Sequence, residues 1–217
     1  LIKKFLLENY GLFVNANLYK ISSKPNKDGK YIVDSEHSVS IKNRYCTSLT
    51  NEYFIFGTVK GNFDCSGCYK LTSLKGCPKE VEGDFICNYC ENLISLEGAP
   101  RTVYGNFNCD CCKSLKTLKG APEQVGCDFD CDYCENLISL EGCPKRVGYS
   151  FLCYGCHNLK SLKGVPKKLH GNFICSNCES LKDLVGGPKE TFGFECIGCT
   201  GLKDLKGAPE KVYGKFT

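Results

Sequence analysis

The chain contains no methionine at all, position 1 included, and only three histidines: His37, His157 and His170. The missing methionine leads us to expect a product processed or trimmed from a longer chain. Scarce histidine removes the commonest general base, and none of the three shares a motif with a Ser or Cys nucleophile. No phosphate-cradling G-x-x-x-x-G-K-[ST] loop occurs. No uninterrupted run of about 18 apolar residues occurs, so no membrane-spanning helix is expected. The start, LIKKFLLENYGLF, is broken by Glu8 and Asn9 and lacks a small-residue cleavage site, so it does not read as a signal peptide. Charge is balanced: 28 basic against 24 acidic residues leave +4, too mild for a nucleic-acid binder. The expectation is a chain with no catalytic role, cofactor, metal, nucleic-acid partner or membrane partner.

What is present is a repeat. From residue 59 to the end, one unit of 22 residues recurs, seen cleanly as VEGDFICNYCENLISLEGAPRT at 81–102. Seven copies run from 59 to 211, the last one residue short, and an eighth begins as VYGKFT and stops. The consensus is V-x-G-N-F-x-C-x-x-C-x-x-L-x-S-L-x-G-A-P-x-x. Such a period with fixed apolar slots marks a solenoid, because one unit cannot bury its own apolar side. Phe85 and Cys87 are two apart, so a strand points both inward. Cys90 follows at a corner, and Leu93 and Leu96 are the next inward pair. Gly98 permits a tight bend, Pro100 fixes φ, and Val103 re-enters the core one coil higher. With coils stacked at about 4.8 Å, like residues form columns. Phe63, Phe85, Phe107, Phe129, Phe151, Phe173 and Phe194 would make one aromatic spine.

The pattern resembles a short leucine-rich repeat, L-x-x-L-x-L-x-x-N/C-x-L, with Phe and Cys in two leucine slots and the second Cys in the Asn/Cys slot. The L-x-S-L-x-G-A-P half is similar to the L-x-x-L-P-x-L-P half of bacterial leucine-rich-repeat effectors, but no catalytic domain follows the repeats. The whole unit is most similar to repeats of uncharacterised tailed-bacteriophage proteins. The resemblance covers 59–217. It implies a mainly β, leucine-rich-repeat-like parallel β-solenoid of seven full coils. It also implies a phage factor located in the host cytoplasm or the virion.

Nineteen cysteines include seven C-x-x-C pairs, from Cys65/Cys68 to Cys196/Cys199. Out of context such pairs signal zinc. Here each recurs at the repeat period in core slots, and seven equivalent pairs do not divide evenly into sites shared by two coils. The first Cys is read as a small hydrophobe and the second as bonding weakly to backbone groups at its corner. An odd count and no secretion signal argue against a full disulfide framework. Cys77, Cys143, Cys111 and Cys127 lie off the columns, and Cys111 is expected to be exposed.

Residues 1–58 read as an N-terminal cap, which a solenoid needs over its first coil. Within it, 1–10 is a helix with Ile2, Phe5 and Leu6 on one face and Gly11 as a stop. Residues 12–38 are strands around a turn at 24–29, and 39–58 is a worn repeat. In that worn repeat Val39 and Ile41 stand for Phe and the first Cys, and Cys46 and Leu49 fill the leucine slots.

The remaining candidate for function is the outward side of the F-x-C-x-x-C stretch, whose residues vary while the core does not. Its densest cluster is Tyr89, Asp110, Asp130, Asp132, Tyr133 and Tyr154. Clustered carboxylates would steer a basic partner, and the tyrosines offer contact area at low entropic cost. Lysines such as Lys119, Lys163, Lys167 and Lys168 gather in the other half of the coil. Cys156–His157 is adjacent in sequence, with His170 able to approach from the next coil, but the two neighbours should point opposite ways. The expected function is protein binding through the tyrosine-bearing face. The alternative is a structural protein that self-associates through its C-terminal coil.

Overall fold

The computed structural model describes residues 1–10 and 19–217. The expected stop at Gly11, and the first residues of the expected 12–38 strand region, lie outside the described residues. The molecule is mainly β. Parallel coils stack into a β-solenoid, with one short helix, Ile2–Tyr10, at the N-terminal end.

Most coils contribute two very short strands. The Phe-x pairs, such as Phe85–Ile86 and Phe107–Asn108, form a parallel sheet of eight strands that begins at Val39–Ser40. One strand per coil makes eight coils, because the worn repeat stacks in register: Val39 opposite Phe63 and Ser40 opposite Asp64. The x-Val pairs, such as Thr102–Val103 and Gln124–Val125, form a second sheet that continues into the cap. Its strand Phe54–Val59 runs across the boundary drawn at 58/59. At its outer edge Tyr19–Ile21 pairs antiparallel with Tyr31–Ser35. The turn between them is held by Asn26, whose Oδ1 accepts from Asp28 N at 2.9 Å and Lys30 N at 3.0 Å.

The inward set of Val, Phe, Cys, Cys, Leu and Leu is buried in every central coil. Identical residues face each other across coils, Phe107 against Phe129 and Val103 against Val125. The rings therefore stack: Phe107 and Phe129 are 5.3 Å apart at 5°, Phe129 and Phe151 are 5.0 Å apart at 28°. Offset stacking of this kind adds to the area each ring buries. The helix closes the first coil with Leu6 and Tyr10 buried, and Tyr10 donates its hydroxyl to Leu49 O at 2.9 Å.

Two further columns hold the coils in register, and both use side-chain oxygens or backbone freedom rather than apolar area. The residue before Phe63, Phe85, Phe107, Phe129 and Phe151 is an Asn, Asp or Ser whose oxygen accepts the backbone N–H of the same slot one coil on. Asn62 Oδ1 takes Asp84 N at 2.9 Å, Asp84 takes Asn106 at 2.7 Å, Asn106 takes Asp128 at 3.1 Å and Asp128 takes Ser150 at 2.7 Å. A short polar acceptor is what the slot demands, so the three residue types interchange. The bend after the leucines needs glycine: Gly98 has φ +94°, and a Cβ there would sit 2.3 Å from Lys75 N of the preceding coil.

Candidate functional site

The tyrosine-bearing face lies along the edge where each coil turns its C-x-x-C corner. The inter-coil ladder continues past the two-residue strands: Cys109 N donates to Asp130 O at 2.8 Å and Cys111 N to Asp132 O at 2.8 Å. The second x of every corner then takes a left-handed backbone. Gly67, Gly155 and Gly198 have φ of +65°, +67° and +72°, and Tyr89, Cys111, Tyr133 and Asn177 adopt φ of +54° to +58° in the same slot. Side chains placed there project away from the core at a fixed angle. Tyr89 and Tyr133 are 51% and 45% exposed.

The structure gathers the expected cluster but corrects its character. Asp110, Asp130, Asp132 and Tyr154 are half-buried, not fully outward. The carboxylates serve their own backbone. Asp130 Oδ1 accepts from Asp132 N at 2.9 Å, and Asp132 Oδ1 accepts from Tyr154 N of the next coil at 2.6 Å. Burial, and then the neighbouring Asp130, push the Asp132 carboxyl up to about 7. Burial, and then Asp110 and Asp128, push Asp130 up to about 6. As pH falls through 7 toward 6 the cluster therefore loses part of its negative charge, which ordinary carboxylates would keep. Asp110 is raised by burial as well. Its Oδ1 and the Oδ1 of Asn88 are buried without a hydrogen-bond partner.

The tyrosines form the accessible part. Tyr133 and Tyr154 meet edge to face at 5.2 Å, and Asn177 Nδ2 donates to the Tyr154 hydroxyl at 2.6 Å. Tyr89 sits over Cys111 and Asp110, whose charges push its phenol up. Cys111, expected to be exposed, is half-buried, its thiol 3.9 Å from Asp110 Oδ2. A shallow trough of about 360 Å³ runs beside this edge, with Ile86 and Leu152 among Asp84, Asn108 and Asp130.

Other candidates separate in space. Cys156 is buried and His157 is exposed with its Nδ1 3.7 Å from Glu179. His170 does not approach them: it stands on the Val-strand side of the coil, beside Val147 and Gly148. Lys119 and Lys163 pair across coils with Glu97 at 3.0 Å and Glu141 at 2.8 Å. All 19 cysteines are free thiols. Among the described residues no group of three or more His, Cys, Asp and Glu is arranged to hold a metal ion. The second cysteine of each pair bonds to a backbone carbonyl, that of the preceding coil. Cys134 donates its thiol to Cys109 O of the previous coil at 3.3 Å, and Cys156 to Cys131 O at 3.2 Å. No described helix is long and apolar enough to cross a membrane.

The left-handed column is the feature that reading the residues missed. Its signal was present: glycine fills that slot in three of seven copies and Asn in a fourth, the residues that tolerate positive φ. The chain matches no protein-family model, no curated protein and no solved structure.

Proposed function

We propose that the chain is a non-catalytic protein-binding module that engages its partner through the C-x-x-C corner edge. Tyr89 and Tyr133 are the contact residues, and Tyr154 backs Tyr133. The observation that supports this most directly is the exposure of two tyrosines on a rigid left-handed corner, beside a trough lined by Ile86 and Leu152. Large rings with only two side-chain torsions make contact area at little entropic cost. The aspartates are half-buried and accept backbone N–H groups, which changes the partner chemistry from the one read in the sequence. A mixed apolar and hydrogen-bonding surface suits this edge better than a strongly basic one. The repeat resemblance carries into the proposal as a phage factor acting on a host or virion protein, in host cytoplasm or virion.

The test is an affinity measurement on a partner captured by the native chain and identified by mass spectrometry. Tyr89→Gly and Tyr133→Asn, which copy the residues found in the same slot at Gly67 and Asn177, remove the rings while keeping the backbone. Loss of binding supports the proposal; retention refutes it.

The second reading is end-to-end self-association. Phe216 stacks on Phe194 at 5.3 Å and 14° and is 41% exposed on its other side, open to a ring of a further coil or a second copy. Light scattering decides: a monomer across the working concentration range rules this reading out.

A further inference from the structure

In the three coils that carry Cys109, Cys131 and Cys153, the C-x-x-C sulfurs point in opposite directions. Cys131 directs its thiol to Leu152 O of the following coil at 3.2 Å, while Cys134 directs its thiol to Cys109 O of the preceding coil at 3.3 Å. Cys109 in turn directs its thiol forward to Asp130 O at 3.2 Å. Cys109 and Cys134 therefore place their sulfurs in the same gap between two coils. Cys153 and Cys178 repeat this one step after Cys131 and Cys156: Cys153 points to Ile174 O at 3.2 Å and Cys178 to Cys153 O at 3.2 Å. Thiol–thiol contact accompanies the shared gap for Cys131 with Cys156 and for Cys153 with Cys178.

We propose that these columns are a disulfide site in which every bridge joins neighbouring coils, the first cysteine of one to the second cysteine of the next, so that oxidation laces the solenoid lengthwise. The C-x-x-C spacing suggests the opposite, a bridge within one coil. That bridge would require one sulfur to leave its carbonyl and swing across the coil, whereas the inter-coil sulfurs already face each other. Among the fourteen C-x-x-C cysteines the pattern leaves Cys68 and Cys196 with no mate. Cys68 opens the series, and the slot that should face it one coil earlier holds Ile41. Cys65 contacts both Cys77 and Cys90, so the central pairs are the diagnostic ones.

The chemistry balances with a small-molecule disulfide as oxidant. One cysteine thiolate attacks glutathione disulfide, forming a mixed disulfide and releasing one glutathione thiolate. The second cysteine thiolate attacks the cysteine sulfur of that mixed disulfide and releases the other. Two thiols lose two electrons and two protons, and two glutathione thiols form. Burial holds these thiols protonated: Cys109 is pushed up to about 11, and Cys131 is raised well above the ordinary range. The folded, reduced chain therefore reacts slowly, and lacing belongs to folding or to transient opening of a coil.

The experiment refolds the full chain from denaturant in a glutathione redox buffer, alkylates the remaining thiols, and digests it with trypsin without reduction. Segments 120–145, 147–160 and 169–182 each carry one C-x-x-C pair and are separate peptides when no bridge joins them. The proposal predicts that the three remain covalently joined until reduced, with fragmentation naming Cys131–Cys156 and Cys153–Cys178, each bridge lowering the mass by about 2 Da. It also predicts Cys68 alkylated. Three separate peptides overturn it, whether each holds an internal bridge, glutathione or alkylated thiols. The same map is read on native protein held in oxidised glutathione at a guanidinium concentration below its unfolding transition, so a failure to refold does not leave the question open.

Discussion

The Tyr133 ring lies directly over Gly155 of the next coil: a Cβ added at Gly155 would fall 2.8 Å from Tyr133 Cδ1. Gly155 also holds φ of +67°. One position thus meets two demands, a left-handed corner and room for an exposed ring, and the pairing fixes the orientation of the residue we assign to partner contact. Replacing Gly155 by Ala should cost about 1–2 kcal/mol from the backbone alone. Gly155→Asn, a residue that tolerates this conformation, should cost less in backbone strain. Chemical denaturation of both variants checks the ordering, and equal losses would place the strain in the ring contact instead.

The aromatic spine and the tyrosine edge should respond very differently to truncation. Phe129 is fully buried between two stacked rings, so Phe129→Ala opens a cavity in a central coil and should cost about 3–5 kcal/mol. Tyr133→Asn keeps the corner and removes a half-exposed ring, and should cost under about 1 kcal/mol. Urea midpoints of the two variants provide the comparison.

Stability should rise as pH falls through the neutral range, the reverse of the usual behaviour of carboxylates. Asp132 and Asp130 have folded values of about 7 and about 6, above the ordinary value of 3.8. Between the unfolded and folded values the folded chain binds more protons, so the slope of stability with pH is negative there. The penalty is absent below about pH 4, accumulates up to about pH 7 and is constant above. Glu36, which Lys20 and Lys60 hold down to about 2, acts in the opposite sense only at more acidic pH. Asp132→Asn keeps the acceptor for Tyr154 N and removes the ionisable group. It should raise the midpoint at pH 8, leave it nearly unchanged at pH 4, and flatten the profile between.

The coil was legible because its inward residues repeat where the core needs them, with only Leu169 and Thr191 standing in the Val slot. Phe, Cys, Cys, Leu, Leu and Val at fixed spacing leave one way to stack, and the register of Phe85 on Phe107 follows from it. The worn repeat was legible too, since Val39, Ile41, Cys46 and Leu49 keep the apolar pattern and are all buried. The edge was harder to read. An Asp in an x position looks the same in sequence whether it faces water or accepts a backbone N–H from the next coil. Only the stacking distance shows that Asp132 is committed to Tyr154 N. The direction of each sulfur was likewise out of reach, because it depends on side-chain rotation rather than on spacing.

The assignment of the tyrosine edge is tested most directly by one affinity comparison on an identified captured partner. The native chain, the Tyr89→Gly/Tyr133→Asn double variant and a Lys163→Glu/Lys167→Glu control are titrated in parallel, after circular dichroism shows all three folded. With the interface on the tyrosine edge, the double variant loses affinity by about tenfold or more while the lysine control binds like the native chain. Unchanged affinity in the tyrosine variant, with binding abolished in the lysine control, would contradict it and move the interface to the lysine-bearing side of the coil.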